Sequence, residues 1–174
     1  MPRAFPAALP IAYVVLRILI ILNWFFGACI LALLIYSFVN EPFLMRALKL
    51  GSPSENPLLV WGIRAIAALG VVSITVNYAI LKRLLAIVDT VRLGEPFIAA
   101  NAYRLQAIAW ALLGLQLLSL VIAAIGKAIT STGFTIHLDA GFSVPGWLAV
   151  ILTFVLARVF AEGTLMREDL EGTV

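Results

Sequence analysis

Four long apolar runs divide this chain, and most of its polar residues lie between or beside them. Residues 18–39, 58–81, 107–126 and 145–161 carry only two charges, Arg64 and Arg158. An α-helix rises 1.5 Å per residue and the hydrocarbon core of a bilayer is about 30 Å thick, so about 20 apolar residues cross it. The first three runs have that length. The fourth has 17 residues and reaches about 25 Å. It crosses if Arg158 extends its guanidinium toward the headgroups and the bilayer thins.

Between the runs the period changes. Leu84, Leu85, Val88 and Val91 recur at helical spacing, with Lys82, Arg83, Asp89 and Arg92 on other faces, so the second span continues as an amphipathic extension. Gly94 suits the C-terminus of that helix and Pro96 the first turn of the next. Ile98, Ala102, Leu105 and Ala109 then form the apolar stripe of a second arm that runs into span three, which makes a helical hairpin of 82–106. In the loop after span three, Phe134, Ile136 and Leu138 alternate with Thr135, His137 and Asp139, the period of a strand. Asp139-Ala140-Gly141 would turn it back along Phe142-Ser143-Val144 as a β-hairpin. In the loop after span one, Asn40-Glu41-Pro42 precedes Phe43, Leu44, Ala47 and Leu48, a short interfacial helix closed by Gly51-Ser52-Pro53. After span four, Arg158, Glu162, Leu165 and Asp169 keep helical spacing into a tail over 162–174. The predicted fold is a single all-α integral membrane domain over 1–174. It is a four-helix transmembrane bundle with a helical hairpin between spans two and three and a small β-hairpin between spans three and four.

Composition strengthens the membrane reading. The chain is 63% hydrophobic and 12% charged, with mean hydropathy +1.09, against roughly 45–50% and about 25% in soluble domains. A chain of 174 residues cannot hide that much apolar surface around one water-solvated core. The single cysteine, Cys29, excludes an intramolecular disulfide and a multi-cysteine metal site. Phe26-Gly27-Ala28-Cys29 is similar to a lipoprotein cleavage box, but the apolar run continues to Tyr36, so the first span is expected to stay uncleaved.

The net charge of +3 is spread around the apolar runs rather than clustered, which argues against direct nucleic-acid binding and for membrane orientation. Eight Lys and Arg residues fall on the two terminal flanks and in 82–106, against four (Arg46, Lys49, Arg64 and Lys127) on the other side. Positive-inside counting places both termini and 82–106 in the cytoplasm and the chain in the inner (plasma) membrane. Tyr13, Tyr36, Trp61 and Trp147 sit near the expected boundaries, as an aromatic belt would.

Polar groups inside the spans are few. Arg64 lies six residues into span two, within snorkelling reach of the headgroups. Asn23 and Asn77 lie at matching depths in spans one and two, which permits an interhelical hydrogen bond worth about 0.6–2 kcal/mol. Gln116 sits near the middle of span three. These four are the candidate interhelical polar contacts. No Asp, Glu, Lys or His lies near mid-span, which counts against a proton-coupled transporter. His137 is the lone histidine; with Asp139 and Glu41 or Glu55 it makes too poor a ligand set for zinc. Neither a nucleophile–base set nor a phosphate-cradling loop is legible, so no catalytic residue, metal or cofactor is assigned.

Two motifs resemble those of an uncharacterised four-span bacterial membrane family, domain of unknown function 2975. Thr90-Val91-Arg92-Leu93-Gly94-Glu95-Pro96-Phe97 with Asn101 and Arg104-Leu105 is similar to the family's central motif. Phe154-Val155-Leu156-Ala157-Arg158-Val159-Phe160 with Glu162-Gly163 and Leu165 is similar to its C-terminal signature. The family tail closes on Asp-Leu-Thr-Val, whereas this chain ends Glu168-Asp169-Leu170-Glu171-Gly172-Thr173-Val174, two residues longer before the last pair. The resemblance implies no activity. It does imply a cytoplasmic partner, because members are often encoded beside a small helix-turn-helix regulator.

Asp89, Arg92, Gly94, Glu95, Pro96, Phe97, Asn101, Arg104, Glu162 and Glu168 are the candidate docking residues for such a partner. The expected function is a non-enzymatic, regulatory or sensory membrane protein whose cytoplasmic helical base holds that regulator. The alternatives are an oligomeric transporter or channel subunit, built as a homo-oligomer through small-residue faces, and more remotely a lipid-modifying membrane enzyme.

Overall fold

A computed structural model describes residues 8–40, 57–131 and 140–171. It contains four helices in order: α1 (Ala8–Val39), α2 (Pro57–Arg92), α3 (Ala99–Thr130) and α4 (Val144–Glu171). They hold 32, 36, 32 and 28 residues, or about 42–54 Å of helix, so each exceeds the thickness of a hydrocarbon core. All four are long and apolar enough to cross a membrane, over Leu9–Val39, Leu59–Arg92, Ala99–Thr130 and Val144–Arg167.

The solvent these helices require is visible in what they leave uncovered. Nothing in the most apolar stretch of α1 is buried, and Ile21 and Phe25 are 67% and 63% exposed. In water that display would forfeit the main driving force of folding; in hydrocarbon it is neutral. Lipid also explains the helices themselves, since a backbone in hydrocarbon must satisfy its own N–H and C=O groups. The chain therefore has the architecture of a multi-pass integral membrane protein.

The chain divides into two compact units, one of residues 1–23, 76–114 and 144–174, the other of 24–75 and 115–143. In the second unit Leu59, Val60 and Ile129 form a buried cluster, with Ile63, Ile66 and Ile125 packed on it. Gly62 lets α2 approach α3 there: a Cβ at Gly62 would lie 2.6 Å from Ile129 Cδ1. Close approach through glycine is the usual device where helices have no hydrophobic drive to associate. Arg64 Nη2 donates to Ser37 O at 2.7 Å and Nε to Ser37 Oγ at 3.4 Å. Its guanidinium lies over the Phe38 and Trp61 rings at 4.4 and 5.4 Å. This cation thus serves the Ser37 carbonyl in the last turn of α1, at the negative end of the helix dipole. In the first unit Ile80 of α2, Leu105, Ile108 and Ala109 of α3, and Val150 and Ala157 of α4 are buried. Trp110 meets Phe154 edge-on at 5.3 Å.

Two expectations need correction. No strand occurs among the described residues, so the β-hairpin is not part of the fold as seen: its return arm, 142–144, is irregular at 142 and 143 and enters α4 at Val144. The backbone of the expected turn finds its partner elsewhere. Gly141 N–H donates to Ser119 Oγ at 3.0 Å and the hydroxyl donates to Gly141 O at 3.3 Å. Pro145 then sits in the first turn of α4, where its fixed φ and missing N–H cost nothing. The outgoing arm, with His137 and Asp139, lies outside the described residues, as do Glu41, Glu55 and the interfacial helix expected over 43–48. α1 begins at Ala8, so the helix extends ten residues ahead of the expected span 18–39, with Pro10 in its first turn. The second correction is Pro96, which precedes α3 instead of occupying its first turn, which begins at Ala99.

Replacing Gly62 by Val should push Ile129 off its buried position, destabilising the protein by about 1–3 kcal/mol. A lowered midpoint of thermal unfolding in detergent would register it; an unchanged midpoint would mean that Ile129 shifts freely.

Candidate functional site

The polar end of the first unit is built around the turn between α2 and α3. α2 ends in a reciprocal cap: Glu95 N–H donates to Thr90 O at 3.0 Å and Gly94 N–H to Val91 O at 3.1 Å. This pairing satisfies two terminal carbonyls of α2 and needs a left-handed residue at Gly94, whose φ is +85°. The chain crosses to Ile98, whose carbonyl accepts Asn101 N–H at 2.9 Å and opens α3.

Asn101 holds the turn together. It is completely buried, and its amide nitrogen donates to Thr90 Oγ1 at 2.8 Å and to Pro96 O at 2.9 Å. Its amide oxygen accepts Arg104 Nη1 at 2.8 Å. Arg104 also donates to Ala86 O at 3.3 Å, and the Thr90 hydroxyl donates to Ile87 O at 2.8 Å. One side chain thus ties the last turn of α2, the connecting segment and the first turn of α3. A buried amide is stabilising only when its donors and acceptor are paired, and here both kinds are.

α4 closes on the same turn. Phe97 lies 5.3 Å from the Phe160 ring, and a Cβ at Gly163 would stand 2.8 Å from the Phe97 ring, so Gly163 makes the seat for that phenyl group. Arg167 faces Glu95 at 4.0 Å and Arg158 pairs with Glu162 at 2.6 Å. Asp89 and Arg92 face each other at 4.0 Å. Arg92 and Arg17 both place their guanidinium 4.8 Å from the centre of the Tyr13 ring. Between α3 and α4 runs a groove of about 430 Å³, floored by alanines such as Ala102 and Ala157 and edged by Tyr103, Gln106 and Arg158.

The structure thus sorts the docking candidates into two kinds. Gly94, Pro96, Asn101 and Arg104 form the scaffold of the turn, and Asn101 has no surface to offer a partner. Asp89, Arg92, Glu95, Phe97 and Glu162 are exposed on that scaffold. Glu168 lies on α4, but its side chain is outside the described atoms. The polar residues of the spans do not converge. Arg64 crosses to α1 in the second unit, Asn23 and Gln116 are half-buried, and Asn77 is exposed.

Sequence reasoning passed over Tyr13, Arg17 and Arg167 as members of this end. Tyr13 and Arg17 stand i,i+4 on one helix, a spacing at which side chains meet; the arrival of Arg92 has no local signal. Among the described residues no group of three or more His, Cys, Asp or Glu side chains is placed to hold a metal. No family model, curated protein or solved structure matches this chain.

Two substitutions separate the parts of the scaffold. Asn101→Ala strands the Pro96 carbonyl and loosens Arg104, so it should cost about 2–3 kcal/mol. Gly94→Ala keeps every side-chain bond but forces a Cβ into left-handed backbone, for about 1–2 kcal/mol. Thermal unfolding in detergent should rank them in that order; equal or negligible losses would mean that the turn does not depend on Asn101.

Proposed function

We propose that this chain is a non-enzymatic regulatory or sensory protein of a bacterial inner membrane. Its termini and the α2–α3 turn face the cytoplasm, where the turn and the end of α4 hold a small helix-turn-helix regulator. One observation carries the reading: the turn consumes its own buried hydrogen-bonding capacity while holding Asp89, Arg92, Glu95, Phe97 and Glu162 at the surface. A rigid, internally satisfied platform bearing mixed charge and one exposed ring is what a reversible protein contact needs. Charges there set partner choice and encounter rate, and an aromatic supplies an anchor. The Asp89–Arg92 and Glu95–Arg167 pairs, each at 4.0 Å, are loose enough to exchange for partner charges. The excess of Lys and Arg on the terminal flanks and in 82–106 supports the cytoplasmic assignment. The resemblance of 90–105 and 154–165 to the four-span family supports the nature of the partner.

Co-purification of a small helix-turn-helix regulator from gently solubilised membranes tests the docking. Combining Arg92→Ala with Glu95→Ala should lower recovery of the regulator at least about tenfold, the equivalent of 1.4 kcal/mol, without changing the unfolding midpoint. Equal recovery from wild type and variant would remove the platform as the contact. Orientation is tested in a Cys29→Ala background. Ser131→Cys should react with an impermeant maleimide on intact cells and Asp169→Cys should not; the reverse pattern would invert the protein.

A further inference from the structure

The Tyr13 ring gathers two cations from two helices. Arg17 of α1 and Arg92 of α2 each sit 4.8 Å from its centre, so the two positive charges are held within about 10 Å of each other, close to the Debye length of physiological salt. Each arginine gains from the ring face, but the ring does nothing to offset their mutual repulsion. Asp89, 4.0 Å from Arg92, is one counter-charge for two cations. Among the described residues no carboxylate pairs with Arg17. The arrangement therefore carries an excess positive charge with guanidinium donors left over, and a phosphate offers the acceptor geometry they match.

The surroundings identify which phosphate. Arg17 lies in a helix apolar enough to cross a membrane, and its exposed neighbours Val14, Ile18 and Ile21 are apolar. Ile21 stands four residues after Arg17, so it shares that residue's face on the side of the apolar span. We propose that Arg17 and Arg92, collected on Tyr13, bind the phosphate of an anionic phospholipid whose acyl chains run from Arg17 along Ile18 and Ile21 of α1. A free phosphate would meet the same two guanidiniums but would gain nothing from Ile18 and Ile21. The site is independent of the charged platform for a protein partner except for Arg92. It gives that arginine a second claimant, so lipid occupancy and regulator docking would compete through one side chain.

Native mass spectrometry of the whole purified chain tests this with three probes: phosphatidylglycerol, phosphatidylcholine and inorganic phosphate. Phosphatidylglycerol should be retained over phosphatidylcholine. Arg17→Gln and Arg92→Gln should each weaken retention about fivefold, and Arg17→Lys should recover most of it. Arg83→Gln, whose parent side chain donates to Ala79 O at 3.1 Å, should behave as wild type. The proposal falls if either glutamine variant retains phosphatidylglycerol unchanged or if phosphatidylcholine binds equally. It falls too if inorganic phosphate displaces the lipid at matched concentration, which would make this a free-phosphate site. If a glutamine variant loses helicity, the wild-type chain decides by hydrogen exchange of residues 10–20. Slowing by phosphatidylglycerol but not by phosphatidylcholine upholds the site; equal exchange in both lipids overturns it.

Discussion

Every feature of this protein depends on one constraint: a peptide group in hydrocarbon has no water to bond, so it must be satisfied by the chain itself. Four long helices meet that demand along most of the sequence. The demand becomes acute where helices end, because each terminus leaves backbone groups open. Arg64 reaches the Ser37 carbonyl in the last turn of α1, and the Gly94 cap with Asn101 closes the α2–α3 turn. Ahead of α4, Ser119 takes both backbone groups of Gly141.

The same constraint gives the polar residues their meaning. Few side chains can be buried when so much of each helix faces lipid, and the buried polar ones, Ser37, Asn101 and Thr164, all bond backbone carbonyls. They hold the helices and their ends in place. The exposed charges around the α2–α3 turn are a different population, carried outward by a scaffold that has already met its own needs. Arg92 belongs to both the ring contact with Tyr13 and the loose pair with Asp89. This is why it figures in both the partner reading and the lipid reading.

The turn was largely legible residue by residue. Gly94 announced a helix end, and Asn101 and Arg104 lie away from the apolar stripe of Ile98, Ala102, Leu105 and Ala109. Their roles were not legible, because standing off a stripe means solvent for a surface helix and a neighbouring backbone for a turn folded on itself. Asn101 looked outward in the pattern and is completely buried in the fold. The convergence of Arg17 and Arg92 on Tyr13 joins residues some 75 positions apart, and no periodicity encodes it. Phe142-Ser143-Val144 fitted the return arm of a hairpin, yet the chain enters α4 at Val144, where Pro145 suits a first helical turn.

Hydropathy and run length alone determined that this chain makes four membrane-length helices, because the free energy of placing apolar side chains is additive along the sequence. Only tertiary structure decided which polar groups are spent on the fold and which are left to face outward. A hydrogen bond or a cation–π contact depends on where its partner lies in space, and for Arg64, Asn101 and Tyr13 partners come from other helices or across the turn.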